Sequence, residues 1–242
     1  MSDTPNCPLI VTTEQTASPL AIRLNCRLNC LRRNASEQLA LVQTVTLQES
    51  KSNWSSFATG PNGSVFCAIF GSSAVHEIYR TPGAAGAPFR AAAKAHRLPT
   101  AICYICGFEC DGDHRVAASF DDNSVRIFRA TGDGLCELQQ IRPPHANWTP
   151  NSLVGLAHGA FCIRSYCTDP ADSKGKSDIE LCAADASGAL STPRRLMQFT
   201  NRVELWSHSR AADASDSATR IFAAEYTFSS GSSLRVFLLQ HD

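Results

Sequence analysis

Three cysteines and one histidine lie near one another in the middle of the chain, at Cys103, Cys106, Cys110 and His114. Thiolate and imidazole groups are the usual ligands of structural zinc, and four of them can hold the ion tetrahedrally. The same segment is also predicted to form a strand, on which residues three positions apart point to opposite faces. No second C-x-x-C pair follows at the spacing of a zinc ribbon. We therefore expect buried thiols that behave as small hydrophobic side chains, with no metal and no cofactor.

Other motifs that carry chemistry are incomplete. Gly175, Lys176 and Ser177 resemble the end of a phosphate-binding loop, but Pro170 stands where that motif requires its first glycine. Residues 132–134 lack the third glycine of a dinucleotide-binding loop, and the chain contains no G-x-S-x-G sequence. The histidines are scattered singly, so any Ser–His–Asp grouping depends on the tertiary structure. No catalytic residue is predicted, and we expect that the protein is not an enzyme.

The composition indicates which class of partner the protein binds and in which cellular compartment it lies. The 242 residues include 22 basic and 22 acidic side chains, so the formal net charge is zero. Proteins that bind nucleic acid generally carry an excess of positive charge. A protein partner is therefore favoured over RNA, although four arginines between residues 23 and 33 leave an RNA contact open. The 11 cysteines show no pairing framework, which indicates reduced thiols in the cytoplasm or nucleus, and no apolar run is long enough to span a membrane.

Short apolar runs separated by Ser, Asp, Asn and Gly predict strands throughout the chain. Residues 89–97 are the exception, because their composition favours a short helix. Five segments have the pattern of a hairpin, residues 9–27, 65–81, 114–130, 179–194 and 220–240. Their turns recur about every 50 residues, a period typical of propellers. Alternation in the third unit predicts Val125 and Ile127 on one face of a strand and Arg126 and Phe128 on the other.

The third unit also resembles a known repeat. Its residues 122–128, with the sequence DNSVRIF, resemble the end of a WD40 repeat, with Phe128 in the place of the usual tryptophan. The last unit ends similarly, with Phe237 in that place. Ala95 and His96 stand where WD40 repeats have Gly-His. The resemblance implies a hydrogen bond from His96 to the carboxylate of residue 122, which we expect to brace the blade.

The predicted fold is all-β, a WD40-like β-propeller with about five recognisable blades in one domain over residues 1–242. The first unit begins at its second strand, and no strand follows Leu239 to complete the last blade. We expect the ring to be open or incompletely closed. A free blade edge would then allow a partner protein to donate a strand.

Two tryptophans indicate where a partner would bind. Trp54 and Trp148 each precede a predicted first strand, in loops that open on one face of a propeller. Tryptophan is enriched among the side chains that dominate binding energy, although each ring could instead pack under its own blade. The predicted protein-binding residues are Trp54, Arg97, Asp121, His145 and Trp148.

These features favour a non-catalytic intracellular scaffold for protein–protein interaction. Two other functions stay open. Residues 53–82 resemble the opening blades of the telomerase Cajal-body WD-repeat protein family, which implies assembly of a ribonucleoprotein. The second alternative is a propeller hydrolase similar to the diphthine methyl-ester hydrolase family, although no residue can be assigned as its nucleophile.

Overall fold

The structure, a computed structural model, describes residues 9–17, 24–33, 38–46, 55–60, 64–80, 89–91, 95–131, 133–142, 147–156, 159–169, 176–185, 187–200, 202–208, 219–227 and 231–239. These residues form nineteen β-strands and no helix. The all-β class predicted from the alternating pattern is therefore confirmed.

Five separate antiparallel sheets follow one another along the chain, and we call them blades 1 to 5. Blade 1 contains β1 (Leu9–Ala17), β2 (Leu24–Arg33) and β3 (Leu39–Thr46). Blade 2 contains β4 (Ser55–Thr59), β5 (Val65–Ile69), β6 (Ala74–Arg80), β7 (Phe89–Ala91) and β8 (His96–Arg97). Blade 3 contains β9 (Ile102–Cys110), β10 (Asp113–Phe120), β11 (Val125–Thr131) and β12 (Gly134–Ile141). Blade 4 contains β13 (Trp148–Gly155), β14 (Ala160–Cys167), β15 (Ser177–Ala183) and β16 (Arg194–Phe199). Blade 5 contains β17 (Arg202–His208), β18 (Thr219–Thr227) and β19 (Gly231–Leu239).

The sheets are arranged as the blades of a β-propeller. The first strands of neighbouring blades lie side by side, β4 against β9, β9 against β13, and β13 against β17. Each blade then runs outward as a meander of consecutive strands. The described strands of blades 1 and 5, unlike those of neighbouring blades, make no extensive contact with each other, which agrees with the predicted open or incompletely closed ring.

A repeated β-bulge identifies the strands of blade 1. The third and fourth strands of blades 3 and 4 shift register once, between Ile127 and Phe128 and between Ile179 and Glu180. In blade 1 the same shift occurs between β2 and β3, at Cys30. The strands β2 and β3 are therefore the third and fourth of their blade, and β1 is the second, as the sequence predicted.

The hydrophobic core lies between blades and not within any one of them. Phe128 belongs to a buried cluster that blade 3 shares with Phe66 of blade 2. Ile127 belongs to a second cluster, which blade 3 shares with Phe161 of blade 4. The predicted alternation on β11 is thus confirmed, and its cause is that both faces of a blade meet a neighbour. Since each buried Phe or Ile contributes roughly 1.5–3 kcal/mol, stacking the blades supplies the stability that a single sheet lacks.

Two glycines allow the first strands to approach closely. A Cβ atom on Gly155 would lie 1.9 Å from the carbonyl oxygen of Gly107 in the neighbouring blade. A Cβ atom on Gly107 would in turn lie 2.7 Å from the backbone N and O of Thr59 in β4. Gly107 thus lies beside the last residues of both β4 and β13. Two residues earlier, the amide of Ile105 donates to the hydroxyl of Ser56, so β4 and β9 run in the same direction. Two residues later, the carbonyl of Glu109 accepts from the amide of Gly159, which follows β13, so β13 runs in that direction as well.

The structure corrects the predicted repeat in the fourth unit. The hairpin predicted near residue 187 joins the third and fourth strands, β15 and β16. The turn equivalent to those at 70–73 and 121–124 lies instead between β14 and β15, after residue 167. Equivalent turns in blades 2, 3 and 4 therefore recur about every 50 residues, which is more regular than the sequence alone indicated. In the first unit the turn was predicted near residue 16, whereas β1 continues to Ala17.

The described residues of 89–97 do not form the short helix that the composition of this segment favours. Residues 89–91 and 96–97 form β7 and β8, and both pair with β6. Helix propensity is a weak preference, and a short isolated helix is only marginally stable in water. Pairing with the edge of β6 gives these residues backbone hydrogen bonds in a stable sheet instead.

Candidate protein-interaction site

The turns of blades 2 and 3 meet at one end of the propeller. The amide of Gly71, in the turn of blade 2, donates a hydrogen bond to the carbonyl of Ile102 at 2.9 Å, and the amide of Ile102 returns one to Ser72 at 2.9 Å. The amide of Asp121, in the turn of blade 3, donates to the carbonyl of Ala101 at 3.0 Å. The segment that connects the two blades is thus fixed to both turns by backbone hydrogen bonds.

Blade 4 repeats this arrangement. The amide and hydroxyl of Thr168 both donate to the carbonyl of Asn147, at 2.7 and 2.9 Å. Asn147 immediately precedes Trp148, the first residue of β13. Because β9 and β13 run in the same direction, these residues lie at the same end of the propeller as the turns of blades 2 and 3. We define the front face as residues 70–73, 97–101, 121–124 and 147–148, together with residue 168.

Phe70 is the most exposed large hydrophobic side chain of the front face. Its side chain is 48% exposed. Among the large hydrophobic residues of the described chain, Leu138 is the other exposed one, at 41%. Phe70 occupies a tight turn, since Gly71 after it has a φ of 77°. Strand alternation alone would place Phe70 on the same face as Phe66 and in the core, which explains why the sequence reasoning missed it. Its position directly before the turn glycine is the one signal that the sequence offers.

Opposite charges lie on the segments beside Phe70. Arg97 is exposed, and none of the described acidic side chains pairs with it. Asp121 is exposed and accepts a hydrogen bond from the hydroxyl of Thr100 at 2.6 Å. Pro99 is exposed between them. The front face therefore offers an aromatic ring and a guanidinium, two side-chain types enriched at protein interfaces, together with an oriented carboxylate on one rigid backbone.

The turn of blade 3 is stabilised by the neighbouring Asp122. Its Oδ1 accepts hydrogen bonds from the amide and the hydroxyl of Ser124 at 2.9 and 2.5 Å, and its Oδ2 accepts one from Arg126 at 2.9 Å. Partial burial acts to raise the pKa of Asp122, but the hydrogen bonds from Ser124 and the charge of Arg126 together hold that pKa below its ordinary value. The carboxylate is thus ionised at neutral pH and fixed within the turn.

The predicted hydrogen bond from His96 to Asp122 is wrong. The Nε2 atom of His96 lies 2.9 Å from Oε2 of Glu77, and its ring packs against Phe66. His96 belongs to β8, which pairs with β6 in blade 2, so its ring lies beside Glu77 and not beside the turn of blade 3. Asp122 is satisfied by Ser124 within its own turn.

The cysteines of β9 are separated by a β-bulge. Cys106 and Cys110 are buried in the cluster between blades 3 and 4, whereas Cys103 lies at a register shift and is half-buried. Burial raises the pKa of the Cys106 thiol strongly, and the nearby Cys162 and Cys182 add to this shift. Within the described part of the chain, no three His, Cys, Asp or Glu residues are grouped so that they could hold a metal ion.

Three of the five predicted binding residues lie on the front face. Arg97 and Asp121 flank the same connecting segment, and Trp148 is half-buried at the next junction, between blades 3 and 4. Trp54 and His145 lie outside the described residues. The structure adds Phe70 to this group.

No protein-family profile matches the chain, and no curated protein matches its sequence. Solved structures resemble its fold. A protein of Lactobacillus plantarum aligns with a TM-score of 0.52 and 12% identity, over 90% of this chain and 67% of that one. A protein of Bacteroides fragilis, provisionally named a 6-phosphogluconolactonase, aligns with a TM-score of 0.52 and 11% identity, over 94% of this chain and 70% of that one. A protein of Bacteroides uniformis with the same provisional name aligns with a TM-score of 0.52 and 8% identity, over 90% of this chain and 68% of that one.

At these identities the likeness concerns the fold alone. Together with the five radial sheets, it defines the class of this protein as a β-propeller. The described residues contain no helix with the length and hydropathy needed to cross a membrane.

Proposed function

We propose that this chain is a non-catalytic, intracellular platform of the WD40 type that binds a protein partner at its front face. The observation that carries the proposal is Phe70, an aromatic ring nearly half exposed on a turn that backbone hydrogen bonds hold rigid. A rigid aromatic side chain contributes a large apolar contact area at a low cost in conformational entropy.

The charges beside Phe70 suit a protein partner better than a nucleic acid. Arg97 and the Asp121 and Asp122 carboxylates lie on the same set of turns, so the front face combines both signs. A phosphate backbone is attracted by clustered positive charge and repelled by carboxylates. A protein segment, in contrast, can place a carboxylate at Arg97 and an amide or cation at Asp121.

The experiment compares Phe70→Ala with Leu138→Ala, which removes a similarly exposed apolar side chain from the outer strand β12. Proteins that cross-link to the wild-type chain in cells are first identified. One of them is then purified and titrated against the wild type, Phe70→Ala and Leu138→Ala. We expect Phe70→Ala to weaken binding about thirtyfold, near 2 kcal/mol, with an unchanged melting temperature. Leu138→Ala should bind as the wild type does.

Equal affinity of the two variants for the partner would contradict the front face as the binding site. Cross-linked RNA that is lost on Phe70→Ala, with no protein lost, would instead favour the ribonucleoprotein alternative.

A further inference from the structure

Two charged side chains of the front face form no ion pair with a described residue. Arg97 and Asp121 are both exposed. One carboxylate oxygen of Asp121, Oδ1, accepts a hydrogen bond from the hydroxyl of Thr100, and no described group donates to the other oxygen. The third charged residue of this face, Asp122, is by contrast paired with Arg126 at 2.9 Å. A guanidinium and a carboxylate oxygen are therefore open to a ligand.

The backbone that joins these two charges is short and fixed. The amide of Leu98, next to Arg97, donates to the carbonyl of Ser73 at 2.8 Å, and the amide of Asp121 donates to the carbonyl of Ala101 at 3.0 Å. A fully extended chain spans at most about 3.6 Å per residue, so Arg97 and Ala101 are at most about 14 Å apart. An extended ligand can therefore contact both charges when its own charged residues are about four positions apart.

The surface between the two charges is uncharged. Pro99 is exposed there, and it has no amide hydrogen to donate to a ligand. Phe70 borders the same stretch of backbone, because the amide of the next residue, Gly71, donates to the carbonyl of Ile102. Apolar side chains of a ligand would pack against Phe70 and Pro99, whereas a charged side chain between them would leave water and gain no partner.

The arrangement of the charges selects the type of segment that binds. A segment that is acidic throughout would be repelled by Asp121 and Asp122, and one that is basic throughout would be repelled by Arg97. A segment with one charge of each sign gains an attraction at both ends. If it lay in the reverse direction, each of its charges would meet a like charge, so the two residues also fix the direction of the segment.

We propose that the front face binds an extended segment of a partner protein with an acidic residue against Arg97 and a basic residue against Asp121. These residues are about four positions apart in the segment, and the apolar residues between them pack on Phe70 and Pro99. The inference rests on the proposed function and deepens it, because it states the sequence pattern that the partner presents to this face.

The probe is a display library of random linear peptides, about 12 residues long, that is selected on the full 242-residue chain. Enriched peptides are synthesised with a fluorescent label, and their affinities are measured by anisotropy. We expect the enriched sequences to share an acidic and a basic residue about four positions apart, with apolar residues between them.

Arg97→Gln and Asp121→Asn test how each charge of the peptide is recognised. We expect Arg97→Gln to weaken binding about threefold, as for an ion pair at a surface, and to abolish the effect of neutralising the acidic residue of the peptide. Asp121→Asn keeps an acceptor for Thr100 and should act in the same way on the basic residue. Arg97→Glu should restore the affinity for a peptide whose acidic residue is replaced by lysine.

Arg129→Gln and Asp133→Asn are the matched controls. Both residues are exposed, and they lie toward the opposite end of the propeller, near the end of β11 and in the turn that follows it. Neither variant should change the affinity for the peptides. The melting temperature of every variant is compared with that of the wild type, which separates a loss of contact from a loss of folding.

Three results would overturn the proposal. They are a selection that enriches no peptide, enriched peptides that lack the pair of charges, and affinities that neither Arg97→Gln nor Asp121→Asn changes. A dimer that Phe70→Ala dissociates would also overturn it, because a second copy of the chain would then occupy the front face. The proposed function is judged separately, by the effect of Phe70→Ala on the cross-linked partner, so the two can fail independently.

Discussion

The side chain of Gln139 pairs with the backbone of Leu190 as a neighbouring strand would. Its Nε2 donates to the Leu190 carbonyl at 3.1 Å, and its Oε1 accepts from the Leu190 amide at 3.1 Å. Gln139 lies on β12 of blade 3 and Leu190 on the connection between β15 and β16 of blade 4. This two-point contact joins the outer parts of two blades whose inner strands already touch.

We expect Gln139→Ala to destabilise the protein by about 1–2 kcal/mol, because both backbone groups of a buried residue lose their partner. For a chain of this length, that corresponds to a fall of roughly 2–8 °C in melting temperature. The neighbouring Gln140 is exposed, and Gln140→Ala is the control. Equal melting temperatures for the two variants would show that the contact does not stabilise the junction.

The glycines between the first strands lead to a second prediction. Gly155→Ala should cost more than about 3 kcal/mol, because the new Cβ would lie 1.9 Å from a backbone oxygen that cannot rotate away. Gly112→Ala is the comparison. That position has a φ of 77° but open space around it, so only the strain of a left-handed residue, about 1–2 kcal/mol, is expected.

Urea denaturation of both variants measures this difference. A smaller loss for Gly155→Ala than for Gly112→Ala would mean that the first strands of blades 3 and 4 are farther apart than in this structure.

The thiols provide a third prediction. Burial raises the pKa of Cys162 and of Cys182 to about 12, with Glu180 adding to the shift at Cys182. Since the thiolate is the reactive form, iodoacetamide at pH 8 should modify the exposed Cys136 more than about tenfold faster than these two. Peptide mapping by mass spectrometry after timed alkylation gives the rates, and urea should make them equal.

Alkylation of Cys162 at the rate of Cys136 in the native protein would contradict the packing between blades 3, 4 and 5.

Metal analysis of the same preparation should find less than one zinc per chain. A stoichiometric zinc that is lost with Cys103→Ser and Cys106→Ser would show that these thiols bind metal.

The sequence by itself determined the class of the fold and several of its hairpins. Alternation over residues 125–128 predicted correctly which side chains share a face, because successive residues of a strand must point to opposite sides. The hairpins at 65–81, 114–130 and 220–240 were predicted for a similarly local reason, since their turns contain Gly, Ser, Asp and Asn. Local rules of this kind hold wherever the chain lies in the fold.

Only the tertiary structure decided the contacts that depend on distant residues. His96 pairs with Glu77 because β8 joins the edge of β6, and Phe89–Ala91 form a strand for the same reason. Phe70 follows the alternation of a core residue, yet nearly half of its side chain is exposed, because it lies in the turn after β5 and no longer in the strand. Burial and pairing depend on which surfaces meet when blades stack, and residues about 50 positions apart supply those surfaces.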